Sequence, residues 1–310
     1  MKKNNTYELL DPELFNKYKK EVLYIDKWLK IINRSNGWHY HLDILWILQE
    51  LKNAGIKKGA TILDAGAGMG IAQFVLASLG YNIISLDFTA RVKPKFAKNI
   101  FDIKLNSQDL DYTHPYMDYI KYKDGSEKKD LKNIKNRNLT RSFYSKIRTL
   151  KNFITNKLET FKDHSNFGKI EFMRAAFHQI PLKDKSVDAV ISVSAIEHAD
   201  RDIIKENLKE ICRIVKDDGV SLITTSSTNK NETIYNEKYE SWEFSESELN
   251  DLLKLNNKND FGLVEKKYLK SKDFINRIDI FYSKEKSSDF YKRKFNKIPY
   301  FPIGIKLFKF

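Results

Sequence analysis

The chain has 310 residues, with 55 Lys and Arg against 41 Asp and Glu, a net charge of +14 and a single cysteine. One cysteine cannot close an internal disulfide, so a small disulfide-stapled secreted scaffold is excluded, and a chain of this length buries enough apolar surface to need no staple. No apolar run approaches the roughly 18–20 residues that span a bilayer, and the first residues lack the hydrophobic stretch of a secretory signal. The expected location is the cytoplasm. The positive balance suits nucleic acid or an anionic membrane surface; joint abundance of lysine, asparagine and isoleucine explains it without either partner.

In chain order, residues 7–34 place Leu14, Tyr18, Val22, Ile25, Leu29 and Ile32 at helical spacing, and Leu42–Leu51 repeats the pattern after a break at Gly37. Residues 1–57 therefore read as a helical lead-in or cap. Ala60–Asp64 reads as a short buried strand, residues 66–70 as a glycine turn, Ile71–Leu79 as a helix and Asn82–Asp87 as a second strand, a β-α-β unit. Residues 104–168 interrupt the alternation with a polar, basic stretch of 14 Lys and Arg against 8 Asp and Glu. Such a stretch is either a functional insertion or partly mobile, with a helix expected over Ser142–Phe161. Strands follow at Ile170–Arg174 and Val187–Val193, then a helix over Arg201–Val215 with Asp200 as its N-cap. Cys212 falls in that helix and reads as a buried structural thiol. The Asp217–Gly219 turn leads into a strand at Val220–Thr225. Ser245 and Glu248 have capping-box spacing and open a helix to about Leu255. Leu263–Leu269 and Arg277–Ser283 read as the last two strands. The tail, residues 284–310, is basic and aromatic; it packs on the domain or rests on an anionic membrane surface.

Strand, glycine turn and helix form a general nucleotide-binding device, because glycines let the backbone approach a ligand and the helix start offers free N–H groups. The turn here, Asp64-Ala65-Gly66-Ala67-Gly68-Met69-Gly70, separates poorly from the dinucleotide fingerprint on its glycines alone. Asp64 separates the two better. A carboxylate beside the turn repels a pyrophosphate but stabilises the ammonium of a methionyl group. Asp87, ending the next strand, can accept both hydroxyls of a ribose and so supports an adenosyl ligand of either kind.

These residues resemble those of a known family. Residues 62–70 resemble motif I of class I S-adenosylmethionine-dependent methyltransferases, and Ser85–Asp87 their second motif. Residues 180–198, from Ile180-Pro181-Leu182 through Ser186-Val187-Asp188 to Glu197-His198, resemble a stretch of the ubiquinone-type and small-molecule subgroup. The resemblance implies an α/β, Rossmann-like fold: a seven-stranded, mostly parallel sheet with helices on both faces, spanning residues 58–283 around the insertion. It implies S-adenosyl-L-methionine as cofactor, with Ala65, Gly66, Gly68 and Gly70 lining the methionyl and ribose side. Asp87 would hold the ribose, Phe88 the adenine, and the Val193 backbone the cofactor amine. The family's acidic residue near the adenine amino group is replaced by Ala176, which leaves adenine to backbone groups and Phe177. The segment 37–43 also resembles the lead-in of methyltransferases from bacterial surface-polysaccharide clusters.

For chemistry at the acceptor, Glu197 and His198 follow the fourth strand and stand where ligands bind in open α/β sheets. A histidine suits proton transfer near neutral pH, and the pair serves equally as a brace for the next helix. His39 and His41, on one side of an extended segment, could line the acceptor pocket; His178 lies near the adenine side. No metal site is expected from two adjacent residues. The leading reading is an enzyme methylating a small molecule or glycan, on oxygen, in the cytoplasm or at the inner membrane surface. The alternatives are an RNA methyltransferase using the basic insertion, and a non-catalytic binding protein on the same fold.

Overall fold

The computed structural model describes residues 4–89, 93–106, 150–282, 297–308 and 310. One sheet organises them: β1 (Thr6–Leu9), β2 (Thr61–Ala65), β3 (Asn82–Asp87), β4 (Ile103–Asn106), β5 (Ile170–Arg174), β6 (Val187–Val193), β7 (Val215–Ser227) and β10 (Phe301–Leu307). Their spatial order is β1-β10-β7-β6-β2-β3-β5-β4. The run from β7 to β4 is parallel throughout, and β10 pairs antiparallel with both β7 and β1. A separate hairpin joins β8 (Ile234–Asn236) to β9 (Ser241–Glu243). Parallel strands covered on both faces read as continuous apolar runs, and the interior of β6 and the second half of β7 are buried without alternation.

The chain leaves β2 towards β3 in one direction and β6 towards β7 in the other. Right-handed crossovers then place the β2–β3 helix, α4 (Ala72–Ser78), and the β6–β7 helix, α6 (Ile204–Ile214), on opposite faces of the sheet. The expected Rossmann-like α/β fold is present, with eight strands in the main sheet among the described residues where seven were expected.

The lead-in contains α1 (Leu14–Lys17), α2 (Lys19–Ile32) and α3 (Tyr40–Asn53). Every residue of α4 is buried, because α2 covers its outer side: Tyr24 Oη lies 2.8 Å from Ser78 Oγ. The helix over residues 150–159, α5, rests on the same layer through Asn156, whose amide donates to the carbonyls of Ile31 and Phe96. The expected helix start at 142 and most of the basic insertion lie outside the described residues.

Several expectations are corrected. Leu263–Leu269 and Arg277–Ser283 are not strands: the chain forms α8 (Phe261–Lys270) and α9 (Lys272–Tyr282), following α7 (Glu246–Leu253). The buried residues Phe274, Ile278 and Tyr282 fall four apart, the helical period rather than the alternation of a strand. The edge strands come instead from the chain ends, β1 from the lead-in and β10 from the tail. In β10, Ile303, Ile305 and Leu307 are buried, so these tail residues complete the core rather than face a lipid surface. Glycine at 304 admits the Trp46 ring: a Cβ there would lie 2.4 Å from Trp46 Cε2.

Asp200 makes no capping bond; a 3-10 turn over Arg201–Ile203 precedes α6. Ser245 does cap α7, accepting from the Glu248 N–H, whereas the Glu248 carboxylate turns away to Arg201 at 2.7 Å. The expected Asp217–Gly219 turn is a bulge inside β7, seen as a register shift against Val187 and Ala189. Cys212 is half-buried, and burial pushes its thiol up to about 12, a structural role.

Candidate active site

The order reversal between β2 and β6 opens a crevice at their carboxyl ends, the place where open α/β sheets bind ligands. Asp188 holds these two strands in register at the opposite end: its Oδ2 accepts from the Thr61 N–H at 2.8 Å and its Oδ1 from Lys216 Nζ at 2.6 Å. Arg213 anchors the preceding loop, donating to the carbonyls of Ile180 and Leu182 and to Asp184. The 180–188 stretch is therefore scaffold for the site rather than part of its chemistry.

Asp64 and Ala65 end β2, both buried. Gly66 follows at φ +72°, and a Cβ on it would lie 2.5 Å from Ala195 Cβ and 3.4 Å from the Phe177 ring. Only glycine lets the turn after β2 lie against the turn after β6. The Gly68 N–H donates to Asp87 Oδ2 at 2.7 Å, while the Thr89 N–H and hydroxyl donate to Asp87 Oδ1 at 2.9 and 2.6 Å. Asp87 thus ties the glycine turn to the end of β3, and a carboxylate retains further lone pairs for a ribose. Phe88 is half-buried next to it, and its carbonyl accepts from Arg174 Nε. Ala176 is buried, and Val193 closes β6 half-buried. The residues expected to bind the cofactor, including Gly70, therefore gather at the carboxyl ends of β2, β3, β5 and β6. Sequence reading missed Gln73, which looks like one polar residue in an apolar helix. It is buried, donates to the Gly70 carbonyl at 3.0 Å and accepts from Ser85 Oγ at 2.7 Å, bracing the turn against β3.

The turn after β6 is the second half of the site. Ser194 has φ 46°, a left-handed conformation that costs a non-glycine residue on the order of 1–3 kcal/mol. Its Oγ is buried with no hydrogen-bond partner. Glu197 is 4% exposed and accepts from Thr225 Oγ1 at 2.9 Å. Burial raises its carboxyl above the usual range, against the opposing pull of His198 and the Thr225 bond. His198 is exposed, with Nδ1 2.8 Å from the Glu240 carbonyl. A carbonyl only accepts, so Nδ1 carries the proton and Nε2 is the basic nitrogen.

A cavity of about 140 Å³ opens between Ser194, Glu197, His198, Tyr40, Tyr239 and Tyr300. That is close to the roughly 150 Å³ of an engineered protein cavity that admits benzene, so it has room for one ring-sized group. Because Ser194 lines it and Ala195 meets Gly66, the cavity adjoins the glycine turn.

His41 does not belong to this site. The lead-in at this point is helical, not extended, so His39 and His41 diverge instead of sharing a side. His41 is buried on α3 between Asp26 Oδ1, 2.8 Å from Nε2, and Arg277 Nη1, 3.1 Å from Nδ1. Burial lowers its pKa. Facing a guanidinium at Nδ1, it is neutral and donates to Asp26 through Nε2, leaving no nitrogen for a substrate. His39 does line the cavity, with Nδ1 2.8 Å from Asp43 Oδ2. His178 is half-buried beside Phe177 and does not line the cavity. Among the described residues no group of three or more His, Cys, Asp or Glu is placed to hold a metal, and no helix is long and apolar enough to cross a membrane.

Residues 146–223 match the family described as "Methyltransferase domain". No curated protein sequence matches the chain. Among solved structures it is similar to phosphoethanolamine N-methyltransferase 2 of Haemonchus contortus, at 12% identity over 94% of this chain and 58% of that one, TM-score 0.43. It is also similar to 1,6-didemethyltoxoflavin-N1-methyltransferase of Burkholderia thailandensis with bound S-adenosylhomocysteine, at 15% identity over 66% and 61%, TM-score 0.36. A third similar structure is the 4+2 cyclase SpnF, at 10% identity over 98% of each chain, TM-score 0.47.

Proposed function

We propose that this chain, of which residues 146–223 match a methyltransferase domain, is an S-adenosylmethionine-dependent enzyme that methylates a hydroxyl of a small, ring-sized acceptor such as one sugar residue of a glycan. The observation that supports this reading is the cavity beside the Gly66 turn, with a basic histidine nitrogen at its rim and a buried carboxyl in its wall.

The cofactor, when bound, supplies an electrophilic methyl on a sulfonium. Gly66, having no side chain, lets the turn after β2 lie against Ala195 in the turn after β6. The buried Asp64 at the end of β2 would face the cofactor's ammonium, and Asp87 the ribose. Across the crevice, the cavity would hold the acceptor beside the cofactor, and such positioning supplies much of the rate. His198 Nε2 would take the proton of the acceptor hydroxyl as its oxygen is methylated. The Glu240 carbonyl fixes that tautomer. Ser194 Oγ, buried and without a partner, is available to hydrogen-bond the acceptor.

Release of S-adenosylhomocysteine from a panel of sugars, small alcohols and amines, and RNA tests the reading. Turnover on ring-sized hydroxyl acceptors supports it. Turnover confined to RNA, with salt-sensitive binding, replaces it with the RNA reading.

A further inference from the structure

The walls of the acceptor cavity carry a chemical preference of their own. Two glutamates line it, Glu197 from the turn after β6 and Glu243 from β9, together with the rings of Tyr40, Tyr239, Phe281 and Tyr300. No lysine or arginine lines it among the described residues. Burial raises the carboxyl of Glu243 as it does that of Glu197. Glu197 accepts from Thr225 Oγ1 and from its own backbone N–H, and Glu243 accepts a long 3.5 Å bond from Asn236. The cations nearby are on the surface. Lys230 acts on Glu243 from an exposed position, and Lys238 stands over the Tyr239 ring, 5.3 Å from its centre.

A carboxylate is costly in a half-dry cavity unless a positive charge joins it. The faces of aromatic rings attract cations as well. His198 and His39 offset part of the charge on Glu197, but a neutral ring would leave Glu243 facing the exposed Lys230 alone. Ser194 gives an independent sign of an absent partner, since its buried Oγ lines the same cavity with no hydrogen bond.

We propose that the acceptor carries a protonated amine, an amino sugar or a cyclic amino alcohol, whose ammonium rests against Glu197, Glu243 and the tyrosine walls of this cavity. This rests on the methyl-transfer reading above and names its substrate class. The ammonium is the handle; the methylated atom is a hydroxyl of the same molecule.

The test is calorimetry on the full chain saturated with S-adenosylhomocysteine, using cyclohexylamine against cyclohexanol and glucosamine against glucose. Each pair holds ring size fixed and changes the charge. The amines are expected to bind about tenfold tighter or better, and Glu243→Gln, a half-buried position, is expected to remove most of that preference. Glu197→Gln provides the second wall. Equal binding within both pairs overturns the proposal, as does absence of saturable amine binding, or a preference unchanged in both variants. Prior titration with S-adenosylhomocysteine separates the two readings. Loss of that binding in the wild type sinks the methyltransferase reading, whereas retained binding without amine preference sinks only this one.

Discussion

Adding a single methyl group at Gly66 would force it to within 2.5 Å of Ala195 Cβ at a backbone φ of +72°, and the strain alone is on the order of 1–3 kcal/mol. Gly66→Ala is therefore expected to part the two turns and abolish S-adenosylmethionine binding, measured by calorimetry, before it unfolds the protein. His198 is the opposite case, exposed and held through one hydrogen bond. His198→Ala should lower kcat by about 10²–10⁴-fold if it takes the hydroxyl proton, with stability changed by no more than about 0.5 kcal/mol. Glu197 couples the site to stability. Its folded pKa is raised by burial, so its contribution is fully present below the unfolded value and is lost as pH rises through the folded one. Glu197→Gln should therefore gain in Tm over the wild type as pH increases from about 4.3 upward. A Tm difference that does not grow with pH contradicts the buried carboxylate.

Trp46 and Gly304 bring α3 onto β10 and so tie the lead-in to the tail. Gly304→Ala should destabilise by about 1–3 kcal/mol as an overpacked contact, and by less in a Trp46→Phe background, a coupling that urea denaturation of the four variants measures. These are the elements the sequence conceals. The strand–turn–helix units from Thr61 to Asp87 and from Val187 to Ser227 are legible because buried parallel strands are apolar runs with glycine or capping signals at their ends. β1 and β10 are four and seven residues long and pair only with strands distant in sequence, β1 with β10 and β10 with β7, so no local pattern announces them. Leu263–Leu269 and Arg277–Ser283 misread as strands because short apolar runs suit either period; the four-residue spacing of Phe274, Ile278 and Tyr282 is the signal that decides. The cofactor side of the site follows from motif order, since Gly66, Gly68 and Asp87 lie within one β-α-β unit. The acceptor cavity draws on Tyr40, Glu197, Glu243 and Tyr300, four distant segments, and no spacing rule joins them. His41 shows the same limit: its partners Asp26 and Arg277 are visible only once α2, α3 and α9 have packed.

Across the whole molecule, the two chain ends complete one sheet, and helices from both flanks wall the acceptor cavity: Tyr40 begins α3, while Phe281 and Tyr282 end α9. The Asp26–His41–Arg277 chain, buried at His41, joins those helices. Because burial depresses the folded pKa of His41, its contribution is present above the unfolded value near 6.5 and is lost as pH falls. The urea midpoint of the wild type should drop more steeply between about pH 7 and 5 than that of His41→Gln; parallel profiles would show that the imidazole is not held neutral. Everything proposed about the acceptor depends on what occupies the crevice between β2 and β6. Calorimetric titration of the folded full chain with S-adenosylmethionine and, separately, with NAD addresses this directly. Saturable one-to-one binding of S-adenosylmethionine, lost in Gly66→Ala and absent for NAD, is the predicted result; a folded protein that binds NAD, or neither ligand, would contradict it.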